Sequence, residues 1–187
     1  MIISELYLTN YCHHDCEPLM NIMLLPENEA FARAAQLAKD HPDTTSFYRF
    51  SDFVNYYQLR QKSDRALYDS FIALGGKPAL KHPLSFVLGD SSYLDEWFSY
   101  GKISRIHLSS IADDKISFTR GDSVASFQRT GTHRLLTKQM LLDDIQKNDG
   151  SVEKYLVEQQ AQYHYIEAQV WIRLGPSDAS GRSDMLK

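Results

Sequence analysis

The residues best placed for chemistry lie in the segment from 163 to 172, with the sequence YHYIEAQVWI. Its aromatic and β-branched residues predict a strand, and successive side chains of a strand point to opposite faces. One face, expected to lie in the core, consists of His164, Ile166, Ala168, Val170 and Ile172. Glu167 lies on the other face beside tyrosine, glutamine and tryptophan. One carboxylate among such side chains is typical of the wall of a polar cleft, although a half-exposed strand gives the same pattern.

Arginine and tyrosine side chains recur in the segment from 49 to 64. The three-residue spacing predicts that Tyr57 and Arg60 share one side of a long helix, and Arg49 precedes that helix. Guanidinium groups bind phosphate oxygens in a bidentate manner, and tyrosine rings can stack on a planar heterocycle. These residues indicate a site for a phosphate-bearing ligand, and a surface ion pair between Arg60 and Asp64 is the structural alternative.

Two cysteines and two histidines lie close together in the sequence Cys12-His13-His14-Asp15-Cys16. Structural zinc sites usually combine one such short spacing with a second ligand pair further along the chain. There is no second cysteine pair, and the other histidines are scattered, so a polar loop without metal is expected. A small metal-dependent hydrolase that uses His13, His14 and Asp15 is an alternative.

Hydroxyl side chains at Ser117 and Thr119 precede the sequence Arg120-Gly121-Asp122-Ser123 at the end of a predicted strand. Small polar residues at strand ends often contact ligands, and they also form turns. The sequence contains no GxSxG, P-loop, GxGxxG or HExxH motif. This argues against an α/β-hydrolase, a nucleoside triphosphatase, a Rossmann dehydrogenase and a zincin.

Composition and charge narrow the class of protein further. The chain has 187 residues, 43% of them hydrophobic, and a formal net charge of −4 at pH 7. A protein that binds a nucleic-acid backbone over a wide face is usually basic, so any nucleic-acid contact is expected to be local. No apolar run approaches the roughly 20 residues of a membrane helix, and no secretory signal is apparent. We expect a cytoplasmic protein with reduced thiols and no membrane partner.

Helices are predicted mainly in the first half of the chain and short strands in the second half, which indicates an α+β fold. Hydrophobic spacing and helix-end signals predict helices at 18–25, 26–40, 53–74, 135–145 and 152–162. Strands are predicted at 3–9, 84–88, 103–108, 115–119 and 163–172, with a short extended piece at 47–50. We expect a single domain over residues 1–174, followed by a flexible tail at 175–187.

Taken in order, these elements resemble the ADP-ribosyltransferase superfamily, and in particular the DarT-like toxins that modify nucleic acid. The resemblance rests on an early strand LYLTN at 6–10, a helix with Tyr57 and Arg60, and a late strand with Glu167. It covers most of residues 3–172. It implies an α+β fold with an ADP-ribosyltransferase-like split β-sheet core and flanking helices.

The resemblance also implies a set of site residues. Glu167 and Arg60 would be catalytic, and NAD would be the co-substrate, without a metal. The residues implied to bind NAD are Tyr7, Thr9, Asn10, Arg49, Tyr57, Ser117 and Thr119. Arg49 and Arg60 remain alternatives for the arginine that contacts the diphosphate. Leu8-Thr9-Asn10 stands where the family commonly has a His-x-Thr element, and the histidine of that element is missing here.

The expected function is therefore transfer of ADP-ribose from NAD to DNA or RNA by a toxin of a bacterial toxin–antitoxin or phage-defence system. The order Glu167-x-Gln169 differs from the Gln/Glu-x-Glu pair of relatives that modify proteins, which favours a nucleic-acid acceptor over a protein target. An antitoxin protein is the expected partner. The alternative is a non-catalytic interaction or antitoxin-type protein, because tyrosines are common at protein interfaces.

Overall fold

The computed structural model describes residues 5–148 and 150–182, which form an α+β fold around an antiparallel sheet. The strands are β1 (Tyr7–Cys12), β2 (Leu84–Leu88), β3 (Lys102–His107), β4 (Ile116–Arg120), β5 (Leu136–Thr137), β6 (Ile166–Val170) and β7 (Ser180–Arg182). They lie in the order β5-β4-β6-β2-β1-β3-β7. The α-helices are α1 (Glu27–Asp40), α2 (Phe53–Ala73), α3 (Ser92–Trp97), α4 (Ser123–Thr130), α5 (Lys138–Lys147) and α6 (Val152–Tyr163).

The two long helices of the first half begin and end close to where the sequence predicts. α1 follows Pro26 and carries Glu27 and Glu29 in its first turn, where acidic side chains interact favourably with the positive end of the helix dipole. α2 begins after Asp52 and ends before Gly75, whose φ of +91° suits a helix terminus. Both predicted helices are therefore confirmed.

The two faces of the sheet have different partners. One face carries Ile166, Ala168 and Val170 and packs with the buried sides of α5 and α6 in the main hydrophobic core. The opposite face is covered at one end by α2, where Trp171 stacks on Phe71 with ring centroids 5.6 Å apart. The rest of that face is the floor of a cleft. The core face predicted for the last strand is confirmed for Ile166, Ala168 and Val170, whereas His164 lies in the cleft lining and not in the core.

The seven strands form one continuous sheet rather than the split sheet that the resemblance implies, although β1 and β2 pair over only a short stretch. In the described part of the chain these strands pair at two positions, one of which is Thr9 with Val87, whereas β1 and β3 pair at six. Beyond Thr9, Nδ2 of Asn10 donates to the carbonyl of Ser85 at 2.9 Å, and Oδ1 of Asn10 accepts from the N–H of Leu19 at 3.2 Å. An asparagine side chain thus takes the place of backbone pairing between the two strands.

The prediction of an extended piece at residues 47–50 is wrong. These residues belong to a 3-10 helix at Thr45–Asp52. Residues three apart lie above one another in this type of helix. Phe47 and Phe50 stack with centroids 5.4 Å apart, and Phe50 meets Phe53 at 5.4 Å. Packing of aromatic rings therefore outweighs the strand propensity of this segment.

Other boundaries also differ from the prediction. The helix predicted at 18–25 is only a 3-10 turn at Ile22–Leu24. The first strand lies at Tyr7–Cys12 rather than at 3–9, and residues 3 and 4 are outside the described residues. The helix predicted at 135–145 starts at Lys138, because Leu136–Thr137 pairs with β4 as strand β5.

The strand predicted at 163–172 is shorter, at Ile166–Val170. Tyr163 is the last residue of α6, and His164 follows it with a φ of +66°. The chain therefore changes direction immediately before the strand, a feature that strand propensity does not reveal.

The segment expected to be a flexible tail contains further elements. Residues Pro176–Asp178 form a 3-10 turn, and β7 pairs with β3. Residues 183–187 of the expected tail lie outside the described residues. Among the helices that the structure describes, none combines the length and apolar character needed to cross a membrane.

Candidate functional site

A cleft of about 810 Å³ lies on the open part of the sheet. Its floor comes from β1, β2 and β6, and its walls come from the 3-10 helix at Thr45–Asp52, α2, α3 and the start of α4. Sites for small organic ligands usually have volumes of about 300–1,000 Å³. The cleft is therefore large enough for a nucleotide-sized ligand.

Glu167 lies on the cleft floor, between Val87 of β2 and Thr119 of β4 in the sheet. Ser85 Oγ donates a hydrogen bond to Oε1 of Glu167 at 3.2 Å. The backbone N–H of Ser123 donates to Oε2 at 2.7 Å. Both carboxylate oxygens are thus held, one by a neighbouring strand and the other by the first residue of α4.

The surroundings of Glu167 raise its pKa to about 7, from an ordinary value of 4.5. Burial of the carboxyl group is the largest cause, and the negative charge of Asp122 adds to it. The hydrogen bonds from Ser123 and the positive charge of Arg60 act in the opposite direction. A carboxyl group with a pKa near neutrality can accept or donate a proton at physiological pH, as a general base or acid must.

The turn between β4 and α4 brings Asp122 and Ser123 to this position. Gly121 precedes them with a φ of +72°, a left-handed conformation that glycine adopts without strain. Asp122 then caps α4, since its carboxylate accepts from the N–H of Ala125 at 2.7 Å. The sequence predicts this turn, but its local pattern does not reveal that Asp122 and Ser123 belong to the site.

A chain of buried hydrogen bonds runs beside Glu167 on the same face of the sheet. Trp171 Nε1 donates to Ser117 Oγ at 2.9 Å, and that hydroxyl donates to Gln169 Oε1 at 3.0 Å. Gln169 Nε2 donates to Thr119 Oγ1 at 2.8 Å, and Thr119 donates to the carbonyl of Gly121 at 3.2 Å. Ser117 and Thr119, predicted to contact NAD, are therefore engaged in supporting the turn.

The face of β6 that was predicted to form the wall of a cleft is open to the cleft at one end and buried at the other. Gln169 and Trp171 are fully buried. α2 covers this end of the sheet, so that only Glu167, with Tyr165 ahead of it in the chain, reaches the cleft. Because the covering helix is distant in sequence, strand alternation alone could not distinguish the buried end of the face from the open end.

Arg60 contacts the cleft, but its charge is already paired. Its Nη2 lies 3.2 Å from Oδ2 of Asp64, and its Nη1 donates to the hydroxyl of Tyr56 at 3.2 Å. His82 Nδ1 lies 2.7 Å from the same Asp64 oxygen. Burial alone would lower the pKa of Arg60, but Asp64 and Tyr56 outweigh it and raise that pKa above its usual value. The predicted i,i+4 pair is present, although it is buried rather than on the surface.

Arg49 has a different environment. Its guanidinium lies over the rings of Tyr48 and Tyr56, at 5.3 and 5.4 Å from their centroids, and its Nε donates to the Tyr48 hydroxyl. Within residues 5–148 and 150–182, no carboxylate forms an ion pair with Arg49. Arg49 therefore presents a positive charge to the cleft that a phosphate group can neutralise.

Aromatic rings form a continuous wall beside Glu167, and we call the set of Tyr48, Tyr93, Trp97, His164 and Tyr165 the aromatic wall. Tyr93 stacks on His164 with centroids 4.9 Å apart and an interplanar angle of 17°. It also lies 6.2 Å from Tyr165 and 5.8 Å from Trp97, which in turn meets Tyr48 at 5.8 Å. Flat rings in this arrangement suit a planar ligand.

Two of the remaining predicted residues lie outside the cleft lining. The hydroxyl of Tyr7 donates to Oδ2 of Asp90 at 2.8 Å. Tyr57 packs between α1 and α2, with its ring 5.2 Å from Phe31. Its neighbour Tyr56 takes the cleft position on α2 instead. A shift of one residue on a helix rotates a side chain by about 100°, which explains how the spacing identified the helix but not the correct tyrosine.

Thr9 and Asn10 do line the cleft, as predicted for the first strand. Thr9 Oγ1 donates to Oδ1 of Asp90 at 3.0 Å. Arg105 contacts the same oxygen at 3.0 Å. Thr9 and Asn10 are thus held by other parts of the fold.

The loop after β1 contributes His13 and Cys16 to the cleft. Burial and the neighbouring His41 lower the pKa of His13, so its imidazole is neutral. Burial raises the pKa of the Cys16 thiol, which therefore stays protonated. No disulfide joins Cys12 and Cys16 in the described structure.

Comparisons with known proteins do not assign the chain to a family: no family model matches it, and no curated protein or solved structure is significantly similar. The geometry of the cleft is therefore the basis for inferring function.

Proposed function

We propose that the protein is an NAD-dependent ADP-ribosyltransferase. The observation that carries the proposal is Glu167, a carboxyl group held by Ser85 and Ser123 on the cleft floor, with a pKa of about 7. Such a group fits a reaction that develops positive charge on a ribose and then releases a proton.

In the proposed reaction, the bond between C1′ of the NAD ribose and the nicotinamide nitrogen breaks, and its electron pair leaves with nicotinamide. The ribose passes through an oxocarbenium-like state, as in glycoside cleavage generally. Ionised Glu167 stabilises this positive charge. The acceptor then bonds to C1′ and transfers one proton to Glu167. The products are nicotinamide, ADP-ribosylated acceptor and one proton.

The two arginines fit different roles in this scheme. Arg49 suits the NAD diphosphate, because no carboxylate of the described chain forms a direct ion pair with it, and only the charge of Asp122 acts on it from a greater distance. Arg60 is held by Asp64 and Tyr56 and acts on Glu167 through its positive charge, which favours the ionised carboxylate. This division supports Arg49 as the phosphate contact and Arg60 as the residue that tunes Glu167.

A nucleic-acid acceptor fits the aromatic wall. Nucleobases stack on aromatic side chains, at about 1–3 kcal/mol for each base. Tyr93 is 42% exposed and Tyr48 is 52% exposed, so both residues are accessible. With a net charge of −4, the chain suits recognition of one unstacked base in the cleft better than a wide backbone contact.

ADP-ribosylation of DNA or RNA would block replication or translation. The proposed biological role is therefore a toxin of a bacterial toxin–antitoxin or phage-defence system, with an antitoxin protein as its partner. Expression of the intact chain alone should arrest growth, and coexpression of a neighbouring gene should relieve the arrest. Harmless expression at high level would contradict the toxin role.

The test of the enzymatic proposal is incubation of purified protein with NAD labelled in the adenylate half and with cell extract. Label should appear in polymer, and nuclease but not protease should release it. Release of the label by protease would show that the acceptor is a protein and not a nucleic acid. No transfer by the intact chain, under conditions in which a known ADP-ribosyltransferase labels the same extract, would reject the enzymatic proposal.

The second candidate is a non-catalytic interaction protein. The exposed rings of Tyr48 and Tyr93 favour it, because tyrosine is enriched at protein interfaces. This candidate does not require NAD. It therefore predicts that NAD changes neither the thermal stability of the protein nor its binding to a partner.

A further inference from the structure

Three potential metal ligands meet beside the cleft. Ligand atoms of His13, Asp15 and His41 all lie within 4.8 Å of one another. Nε2 of His41 is 2.6 Å from Oδ2 of Asp15, and the ring centroids of His13 and His41 are 4.6 Å apart. The sequence analysis considered His14 together with His13 and Asp15, whereas the fold brings His41 to them from another segment.

The local fold explains why these side chains converge. The turn after β1 is closed by the N–H of Cys16, which donates to the carbonyl of His13 at 2.9 Å. Within that turn the N–H of Asp15 donates to Nδ1 of His13 at 3.2 Å. His41 is the residue that ends α1. The three candidate ligands thus come from two separate elements of the fold, the loop after β1 and the end of α1.

The surroundings hold the candidate ligand groups in place and leave the Asp15 carboxylate accessible. His13 is buried, and its ring and that of His41 lie 4.9 and 5.7 Å from the ring of Phe47. Arg33 donates to the main-chain carbonyl of Asp15 and not to its carboxylate. The Asp15 carboxylate therefore keeps its negative charge for His41 or for an ion between them.

We propose that His13, Asp15 and His41 bind a divalent transition-metal ion of the Zn²⁺ class. Two imidazoles and one carboxylate are a donor set that such ions prefer. Zinc bonds to these donors are about 2.0–2.2 Å long, so the ion would enter the Asp15–His41 contact and draw His13 towards it. Three protein ligands leave a fourth position for water.

The proposed ion would join the loop after β1 to the end of α1. Both elements border the cleft, through His13 on one side and Arg33 on the other. The ion would therefore fix the shape of this part of the cleft. The inference does not depend on the proposed transferase activity, and neither fails with the other.

The experiment uses untagged protein that has been treated with a chelator, incubated with Zn²⁺ and passed through a desalting column. Elemental analysis should find about one zinc per chain, as expected for a single three-ligand site. Asp15→Asn and His41→Ala should each weaken zinc binding by more than roughly tenfold, the loss typical even of an outer-shell partner. His14→Ala is the matched control and should retain the metal.

A Co²⁺-loaded sample tests the ligand set independently of stability. Its visible absorption should show the ligand-field bands of nitrogen and oxygen donors without a thiolate charge-transfer band in the near ultraviolet. Thiolate absorption would show that Cys12 or Cys16 binds the ion, and it would contradict the proposed ligand set. No zinc in the wild-type chain, or full retention in folded Asp15→Asn, would overturn the proposal. Circular dichroism confirms folding of each variant.

Discussion

The backbone N–H of Ser123 donates a hydrogen bond of 2.7 Å to Oε2 of Glu167, and this contact joins the start of α4 to the centre of β6. The residue before it, Asp122, caps the same helix. The turn therefore acts on Glu167 in two opposite ways. The hydrogen bond stabilises the carboxylate, whereas the charge of Asp122 disfavours it. Together with burial, the balance leaves the pKa of Glu167 near neutrality.

The first prediction concerns turnover. Glu167→Gln keeps the size of the side chain and removes its charge. The variant should fold and bind NAD but lose transfer activity by about 10²–10⁴-fold, the usual contribution of a general base. Labelled-NAD transfer and NAD-dependent thermal shift measure the two properties separately. Glu153→Gln and Glu158→Gln, on α6, are the controls and should remain active. Near-normal transfer by Glu167→Gln would show that Glu167 is not the catalytic base.

The second prediction concerns the pH dependence of transfer. A base works only when it is ionised, so activity should rise as pH increases through about 7. Asp122→Asn keeps a good helix cap but removes the negative charge that raises the pKa of Glu167. The midpoint of the pH–rate profile should therefore move to lower pH in this variant. A midpoint that stays in place, or moves upward, contradicts the assigned role of Asp122.

The third prediction concerns stability. The pKa of Glu167 is about 7 in the folded chain and near the ordinary 4.5 when unfolded, so the folded state binds the proton more tightly. The contribution of Glu167 to stability is therefore fully present below about pH 4.5 and is lost as pH rises through 7. Glu167→Gln does not titrate, so it should be more stable than wild type at pH 8 by about 1–3 kcal/mol. The difference should nearly vanish at pH 4, where Glu167 is largely protonated in both the folded and the unfolded chain. Urea unfolding at both pH values measures it, and an equal difference at both would argue against a raised pKa.

The fourth prediction separates the two arginines. Arg49→Ala should leave the melting temperature of the ligand-free protein nearly unchanged and weaken NAD binding by roughly 10- to 100-fold, the loss of a charge-assisted hydrogen bond. Arg60→Ala removes the partner of Asp64, which is almost fully buried. It should destabilise the fold by about 3 kcal/mol, the low end for a broken buried pair, because His82 still contacts Asp64.

Thermal unfolding with and without NAD checks both variants. Arg60→Lys is the matched control for the buried pair, since it retains the charge and loses the planar fork. Normal NAD binding by Arg49→Ala would show that a residue other than Arg49 contacts the diphosphate.

The fifth prediction concerns the aromatic wall. Tyr93→Ala removes the ring that stacks on His164, and single-stranded DNA or RNA should bind more weakly by about 1–3 kcal/mol. Tyr93→Phe retains the ring and should bind normally, which distinguishes stacking from a hydroxyl contact. Fluorescence anisotropy with a labelled oligonucleotide measures both. Equal binding by wild type and Tyr93→Ala would show that the aromatic wall does not contact the nucleic-acid acceptor.

Much of the fold could be predicted from the sequence, because local signals determine it. The proline and acidic residues at the start of α1 and the two glycines after α2 mark helix ends by local chemistry alone. Alternation placed Ile166 in the core and Glu167 on the other face, and both positions agree with the structure. The α+β class follows from the same periodicities.

The site could be predicted only in part, because its geometry depends on contacts between distant segments. Nothing near Gln169 in the sequence shows that α2 covers it, or that its amide joins a buried chain to Thr119. In the sequence, Asp122 and Ser123 have the pattern of an ordinary turn. Only the pairing of β4 with β6 brings them beside Glu167. His41 joins the His13 loop only through the packing of α1.

The chain has two tryptophans, and the fold gives them separate optical environments. Trp171 is fully buried against Phe71, so its fluorescence should report the integrity of the sheet and shift to the red only on unfolding. Trp97 lies in the aromatic wall, so its emission should change when a planar ligand enters the cleft. Trp97→Phe would therefore yield a protein whose emission follows folding alone, and comparison with the wild type would isolate the signal of ligand binding without any added dye.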